Sequence, residues 1–160
     1  MNMNIRTFAA ADTDAVVALS LRAWAPVFPS IREALSPEID DLLQPDWRVK
    51  QADDVAAVVS APANQVRVAD VDGVVAGFVA IHIHDDRRIG EIEMLAVDPS
   101  FQGRGIGTAL TTAALDWIRA EGITVAMVGT GADPGHAPAR RTYEKAGMRL
   151  VPMARYFVRL

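Results

Sequence analysis

Glu91-Ile92-Glu93-Met94-Leu95-Ala96-Val97-Asp98-Pro99-Ser100-Phe101-Gln102-Gly103-Arg104-Gly105-Ile106-Gly107-Thr108 reads as a strand that turns at a proline and enters a helix through three alternating glycines. After Gly107, Leu110, Ala113, Ala114, Trp117 and Ile118 recur at helical spacing, and Gly122 stands where a helix commonly stops. A glycine has no Cβ, so an anion can come close to the backbone. The unpaired N–H groups and positive end of the following helix then attract its charge. The loop is therefore expected to bind a phosphate, the plain alternative being a flexible strand-to-helix connection. A P-loop is excluded because no lysine follows these glycines, and a dinucleotide fingerprint because Thr108 stands where its third glycine belongs. The loop also follows an antiparallel hairpin instead of opening a first βαβ unit.

Upstream of the quoted stretch the apolar period is that of strands. Val66 to Val71, the turn Asp72-Gly73, Val74 to His84 and Ile89 to Val97 predict three antiparallel strands. A four-residue loop Asp85 to Arg88 would pair His84 with Ile89 and His82 with Glu91. That register places Val79, Ile81 and Ile83 beside Met94, Ile92 and Gly90 on one apolar face for helices to cover. Further upstream lie a strand from Ile5 to Ala9 and a helix capped by Asp12 and ended by Pro26 and Pro29. A helical region then starts at Ser36-Pro37-Glu38, breaks near Pro45 and resumes from Trp47 to Val59. Downstream come a strand from Ile123 to Gly129, a helix from Pro138 to Lys145 stopped by Gly147, and one or two closing strands between Met148 and Val158. This order describes one α/β domain over residues 1–160 with a mixed sheet.

The composition narrows the chemistry. The chain has 51% hydrophobic and 22% charged residues and a net charge of −4, without a Lys/Arg block, so no electrostatic footprint for nucleic acid is present. Cationic small substrates suit that balance better. There is no cysteine, which removes disulfides, thiolate nucleophiles and cysteine-held metals. Neither a signal peptide nor an apolar run of membrane-spanning length is evident, so a cytoplasmic location and no membrane partner are expected. His82 and His84 share a strand face, but no third ligand is fixed by spacing and no metal is expected.

Gln102-x-x-Gly105-x-Gly107 after the strand Glu91 to Val97 resembles the pyrophosphate-binding motif of the GNAT superfamily of acyl-CoA-dependent N-acetyltransferases. The resemblance covers about Val66 to Met148. It implies a mixed, mostly antiparallel central sheet with helices on both faces. Acetyl-CoA is implied as co-substrate, with its pyrophosphate held by Gln102, Gly103, Arg104, Gly105, Ile106, Gly107 and Thr108. Its pantetheine arm would pair with Leu95, Ala96 and Val97. Arg104 is either a phosphate contact or a solvated residue at the helix start. The family's second signature resembles Gly135 to Met148: Ala139, Tyr143 and Gly147 match, whereas His136 replaces an asparagine and Met148 a phenylalanine. His136 is thus either an alternative helix cap or a cofactor contact, and Ala139 belongs to the cofactor side.

Tyr143 is the expected catalytic acid, because a phenol beside the sulfur helps a thiolate leave. A lysine-type amine, with a pKa of ~10.4, arrives protonated and needs a base. Glu91 and Glu93 alternate on one strand and share a face. Glu91 is the better placed, eleven residues before Gln102, with His82 across from it as partner in a carboxylate–imidazole pair. A backbone N–H near Leu95 or Ala96 is expected to meet the thioester oxygen. Without a cysteine to carry the acyl group, the mechanism implied is direct attack by a primary amine of a small molecule, peptide or protein. Homodimers are common in the family. A second reading of the same motifs is a non-catalytic acyl-CoA sensor or partner module, which the His136 replacement favours and Tyr143 with Glu91 opposes. Trp24, Phe28, Trp47, Tyr156 and Phe157 are candidates for an acceptor pocket, although aromatic residues at such spacing more often pack a core.

Overall fold

The stretches of strand period form strands β2 (Asn64–Val71), β3 (Val74–His84) and β4 (Ile89–Val97) of a computed structural model that describes residues 1–160. β1 (Met3–Thr7) and β5 (Val125–Val128) complete a single sheet of order β1-β2-β3-β4-β5. The first four strands are antiparallel neighbours and β5 runs parallel to β4. Helices α1 (Thr13–Trp24), α2 (Val27–Leu35), α3 (Pro37–Leu43) and α4 (Trp47–Ser60) lie between β1 and β2 in sequence. α5 (Ile106–Ala120) links β4 to β5, and α6 (Ala137–Lys145) follows β5. No helix is long and apolar enough to cross a membrane.

Each face of the sheet has its own core. Leu110, Ala114 and Ile118 of α5 pack on Val79, Ile81 and Ile92. On the other face Val16 and Leu19 of α1 and Val55 and Val59 of α4 enclose Phe78 and Ala80. The hairpin register follows the loop length: His84 pairs with Ile89 and His82 with Glu91. One element differs from the simple alternation. Ile81 pairs with Ile92 but Ala80 with Met94, which leaves Glu93 as an extra residue in β4. A bulge of this kind shifts every later side chain to the opposite face. Met94 therefore joins the α1/α4 core instead of the α5 side, and Leu95 and Val97 take its place against α5.

Three local expectations are corrected. The Asp12 side chain makes no cap bond to α1; its carboxylate accepts from the Ala9 N–H at 2.8 Å and from Arg6 at 2.8 and 2.9 Å, an ion pair that outcompetes the cap. Pro29 does not end a helix but sits in the first turn of α2, where a missing N–H costs nothing. The closing strands between Met148 and Val158 do not form. Pro152 interrupts the ladder donors, and the apolar side chains of this tail face solvent, Tyr156 being 94% exposed.

Candidate active site

β4 pairs with β5 only from Ile89 and Val125 to Ile92 and Val128, although β4 itself continues to Val97. From Glu93 onward its β5-facing edge is unpaired, and the bulge that bends the strand lies at that point. The gap belongs to a cavity of about 610 Å³ lined by the end of β4, by Val128 to Thr130, by the glycine loop, by α6 and by the α1–α2 corner at Trp24, Pro26 and Val27.

The glycine loop presents donors to this cavity. Gly103 and Gly105 have φ of +76° and +80°, a region that side chains rarely adopt, and the space where a Cβ would stand is open. The N–H groups from Gly103 to Thr108 have no acceptor within the protein, and α5 has no side-chain cap. Six adjacent donors at the positive end of a fifteen-residue helix form a seat for a multiply charged anion. Gln102 donates its amide to the Val97 carbonyl at 3.1 Å and ties the loop to the strand end. Asp98 holds the turn between them: its carboxylate accepts from the Ser100 N–H at 2.9 Å and from the Arg22 guanidinium of α1 at 2.9 and 2.5 Å. Burial pushes the Asp98 carboxyl up, but the bonds from Ser100 and Arg22 outweigh it and hold the group below the usual carboxylate range. The Arg104 guanidinium lies over the Phe101 ring, 5.2 Å from its centroid, and does not line the cavity.

Tyr143 projects from α6 into the cavity and is 8% exposed. Burial pushes its phenol up to about 12, so it remains a neutral donor throughout the physiological range. His136 lines the cavity too, without capping α6. Its Nδ1 lies 2.5 Å from the Asp133 carboxylate, whose other oxygen accepts from the Ser30 hydroxyl of α2 at 2.7 Å. Burial pushes Asp133 up as well, and bonds from Ser30 and His136 again bring it below the ordinary carboxylate value. Arg140 donates to the carbonyls of Gly131 and Asp133 at 2.6 and 2.9 Å and fixes the turn that carries this pair. The sequence reading missed Asp133 and Ser30; Asp133-Pro134-Gly135-His136, a turn with a carboxylate three residues before an imidazole, was the available signal for the first. Ser30, over a hundred residues away, carried none.

Of the expected site residues, Leu95, Ala96, Val97, Gln102, Gly103, Gly105, Ile106, Gly107, Thr108, His136, Ala139 and Tyr143 line one cavity. Glu91 and His82 do not. The carboxylate–imidazole pair also has a different partner: Glu91 reaches diagonally to His84 Nε2 at 2.5 Å, while His82 Nδ1 meets the Asn64 side chain at 2.9 Å. Asn64 in turn donates to Glu93 at 2.7 Å, and the bulge turns Glu93 to the cavity. Trp24 lines the cavity, Phe28 stacks on Trp47 at 4.2 Å away from it, and Tyr156 and Phe157 lie in the exposed tail.

Asp12, Asp98 and Asp133 all have depressed carboxyl pKa values, Asp12 through its bonds to Arg6 first of all. A depressed folded-state value adds stability above the unfolded value of about 3.9, and that stability is lost as pH falls through the folded one. The urea midpoint should therefore be level above about pH 5 and fall below about pH 4, with a shallower fall in Asp98→Asn. A midpoint unchanged down to about pH 3 would contradict this assignment.

Comparison with known proteins agrees with the geometry. A model of the acetyltransferase (GNAT) family matches residues 28–148, so the chain belongs to that family. It is 35% identical over 154 residues to a mycothiol acetyltransferase of Sanguibacter keddieii, a match covering 91% of this chain and 43% of the relative. A mycothiol acetyltransferase of Clavibacter michiganensis subsp. michiganensis is 31% identical over 145 residues, with 91% and 42% covered. The chain thus spans less than half the length of these curated relatives. Among solved structures, the PaiA N-acetyltransferase of Thermoplasma acidophilum in complex with coenzyme A superposes with a TM-score of 0.72 at 17% identity, over 96% of this chain and 94% of that one. The aminoglycoside N-acetyltransferase AAC(6')-Iy, bound to a bisubstrate analogue of CoA and acetylneamine, gives 0.66 at 20% identity, over 100% and 99%.

Proposed function

We propose that the chain is a cytoplasmic N-acetyltransferase that passes an acetyl group from acetyl-CoA to a primary amine of a small molecule or peptide by direct attack. The observation that carries the reading is the unpaired edge of β4, which opens onto the same cavity as six free loop donors and a neutral tyrosine. The cradle fits the co-substrate in both of its polar parts. The N–H groups of Gly103 to Thr108 would hold the pyrophosphate, and the free backbone of Leu95 to Val97 would take the amide groups of the pantetheine arm as an extra strand takes a sheet edge. Acetyl-CoA supplies an acyl carbon and a thiolate leaving group. The Leu95 backbone N–H, on the edge away from β3, meets the charge that develops on the carbonyl oxygen, and the Tyr143 hydroxyl meets the charge on sulfur.

The acceptor enters from the α1–α2 corner. Glu93, held by Asn64, gives that approach a negative charge suited to an ammonium group. Glu91, joined to His84 outside the cavity, would act on the amine only through a relay. Amines of the mycothiol type and aminoglycosides are favoured acceptors because the relatives bear the names of acetyltransferases for mycothiol and aminoglycosides.

Calorimetric titration with acetyl-CoA, joined to a free-thiol assay with neamine, spermidine and an alanine-initiated peptide, tests the proposal. Binding with amine-dependent thiol release is the expected outcome. Binding without release on any amine would point to the sensor module, and no binding would overturn the reading.

A further inference from the structure

His136, Asp133 and Ser30 form a chain of hydrogen bonds from α2 to the cavity, and no part of the reaction described above uses it. Asp133 lies at 2.5 Å from Nδ1, so that nitrogen carries the proton it shares with the carboxylate. The lone pair of the neutral ring is then on Nε2. Nε2 has no hydrogen-bond partner in the protein, and no polar side-chain atom of the molecule is both sealed from solvent and unpartnered. Since His136 lines the cavity, its free nitrogen is open to a substrate proton. The ring is also held in place: Ser30 bonds the far carboxylate oxygen of Asp133 at 2.7 Å and accepts from the Gly135 N–H at 3.0 Å, and Arg140 grips the turn from α6. Any side chain at Gly131 would collide with Nδ1, at 2.5 Å from the Cβ position, so the backbone there is shaped around the imidazole.

We propose that His136 Nε2 is the base that deprotonates the amine, with Asp133 and Ser30 as its positioning residues. The inference rests on the acetyltransferase reading. Nε2 takes one N–H proton from the bound ammonium, and the freed lone pair attacks the acetyl carbonyl carbon to form the C–N bond. The C–S bond breaks with its electron pair on sulfur, hydrogen-bonded by Tyr143. A second N–H proton reaches the thiolate through solvent, and the imidazolium returns its own proton to solvent. The products are an N-acetyl amine, CoA thiol and one proton. The charged and titratable groups that share the turn or the cavity with the ring are Asp133 and Arg140 at the turn, and Arg141, Tyr143 and Lys145 of α6 with Glu93 of β4 along the cavity wall. From α2 only the uncharged Ser30 reaches the pair, Arg32 being engaged by Asp40 and Asp41.

The test uses the amine that the wild type turns over fastest among neamine, spermidine and the alanine-initiated peptide. In His136→Asn, kcat should fall about 10²-fold at neutral pH while the acetyl-CoA Kd changes by less than about twofold. The acid-side descent of the wild-type rate profile should disappear. Asp133→Asn should also lower kcat at neutral pH by at least about tenfold while the acetyl-CoA Kd stays within about twofold, because the ring loses the carboxylate that fixes its tautomer and orientation. Added imidazole should restore part of the rate in His136→Gly. A wild-type pH profile in His136→Asn, or a wild-type kcat in Asp133→Asn, overturns the proposal. So does a defect confined to acetyl-CoA affinity, which would make the ring a cofactor contact. Absence of thiol release from the wild type on every amine is a failure of the acetyltransferase reading itself, seen before any variant is made.

Discussion

Tyr143→Phe should lower kcat by 10²- to 10³-fold while leaving the affinity for acetyl-CoA within about twofold of wild type. The substitution removes one oxygen and keeps the ring, which is 8% exposed on α6, so packing is preserved and the loss reports the hydroxyl alone. A phenol pushed up to about 12 is a poor proton donor in the full sense. A cysteine-type thiol titrates near 8.5, so complete transfer from this tyrosine to a departing thiolate would run uphill by about 3.5 pK units. Its contribution is a hydrogen bond made to sulfur as charge develops, stronger in the transition state than in the ground state. The same value predicts no alkaline descent from Tyr143 within the working range. A kcat within about threefold of wild type in Tyr143→Phe would remove the tyrosine from the mechanism.

The sheet was legible where length alone fixes geometry. A four-residue connection between His84 and Ile89 admits one hairpin register, and the structure pairs those residues. The glycine loop was legible for the same reason, since positive φ at Gly103 and Gly105 requires the residue type that the sequence supplies. The bulge at Glu93 was not, because an inserted residue looks like one more step of the alternation. That one residue sends Met94 to the wrong face of the simple reading and brings Glu93, in place of Glu91, to the cavity. The pairing of Glu91 with His84 was missed because a register names opposite residues, while a long side chain reaches a diagonal neighbour as easily. The Asp133–His136 pair depends on a short helical turn and on Ser30 of α2, contacts that no period in the sequence encodes.

Ile118→Ala should destabilise the fold by about 2–5 kcal/mol, and Gly90→Ala by about 1–3 kcal/mol, yet the two together should cost less than their sum. Ile118 is 2% exposed and presses from α5 onto β4 at Gly90, where an added Cβ would stand 2.6, 2.7 and 2.8 Å from three of its carbons. Two of those carbons, Cγ1 and Cγ2, are the branch of a side chain fixed in the core, not a flexible tip, so a methyl at position 90 must push the helix outward. Truncating Ile118 opens the space that the methyl needs, and the double variant should recover about 1–2 kcal/mol. For a chain of this size, each kcal/mol shifts Tm by about 2–4 °C, which puts Ile118→Ala within easy reach of thermal unfolding. Strictly additive losses would show that the contact is not shared. The consequence reaches the site, because α5 carries the loop donors at its first turn: in Gly90→Ala the acetyl-CoA Kd should weaken, and in the double variant it should return towards the wild-type value.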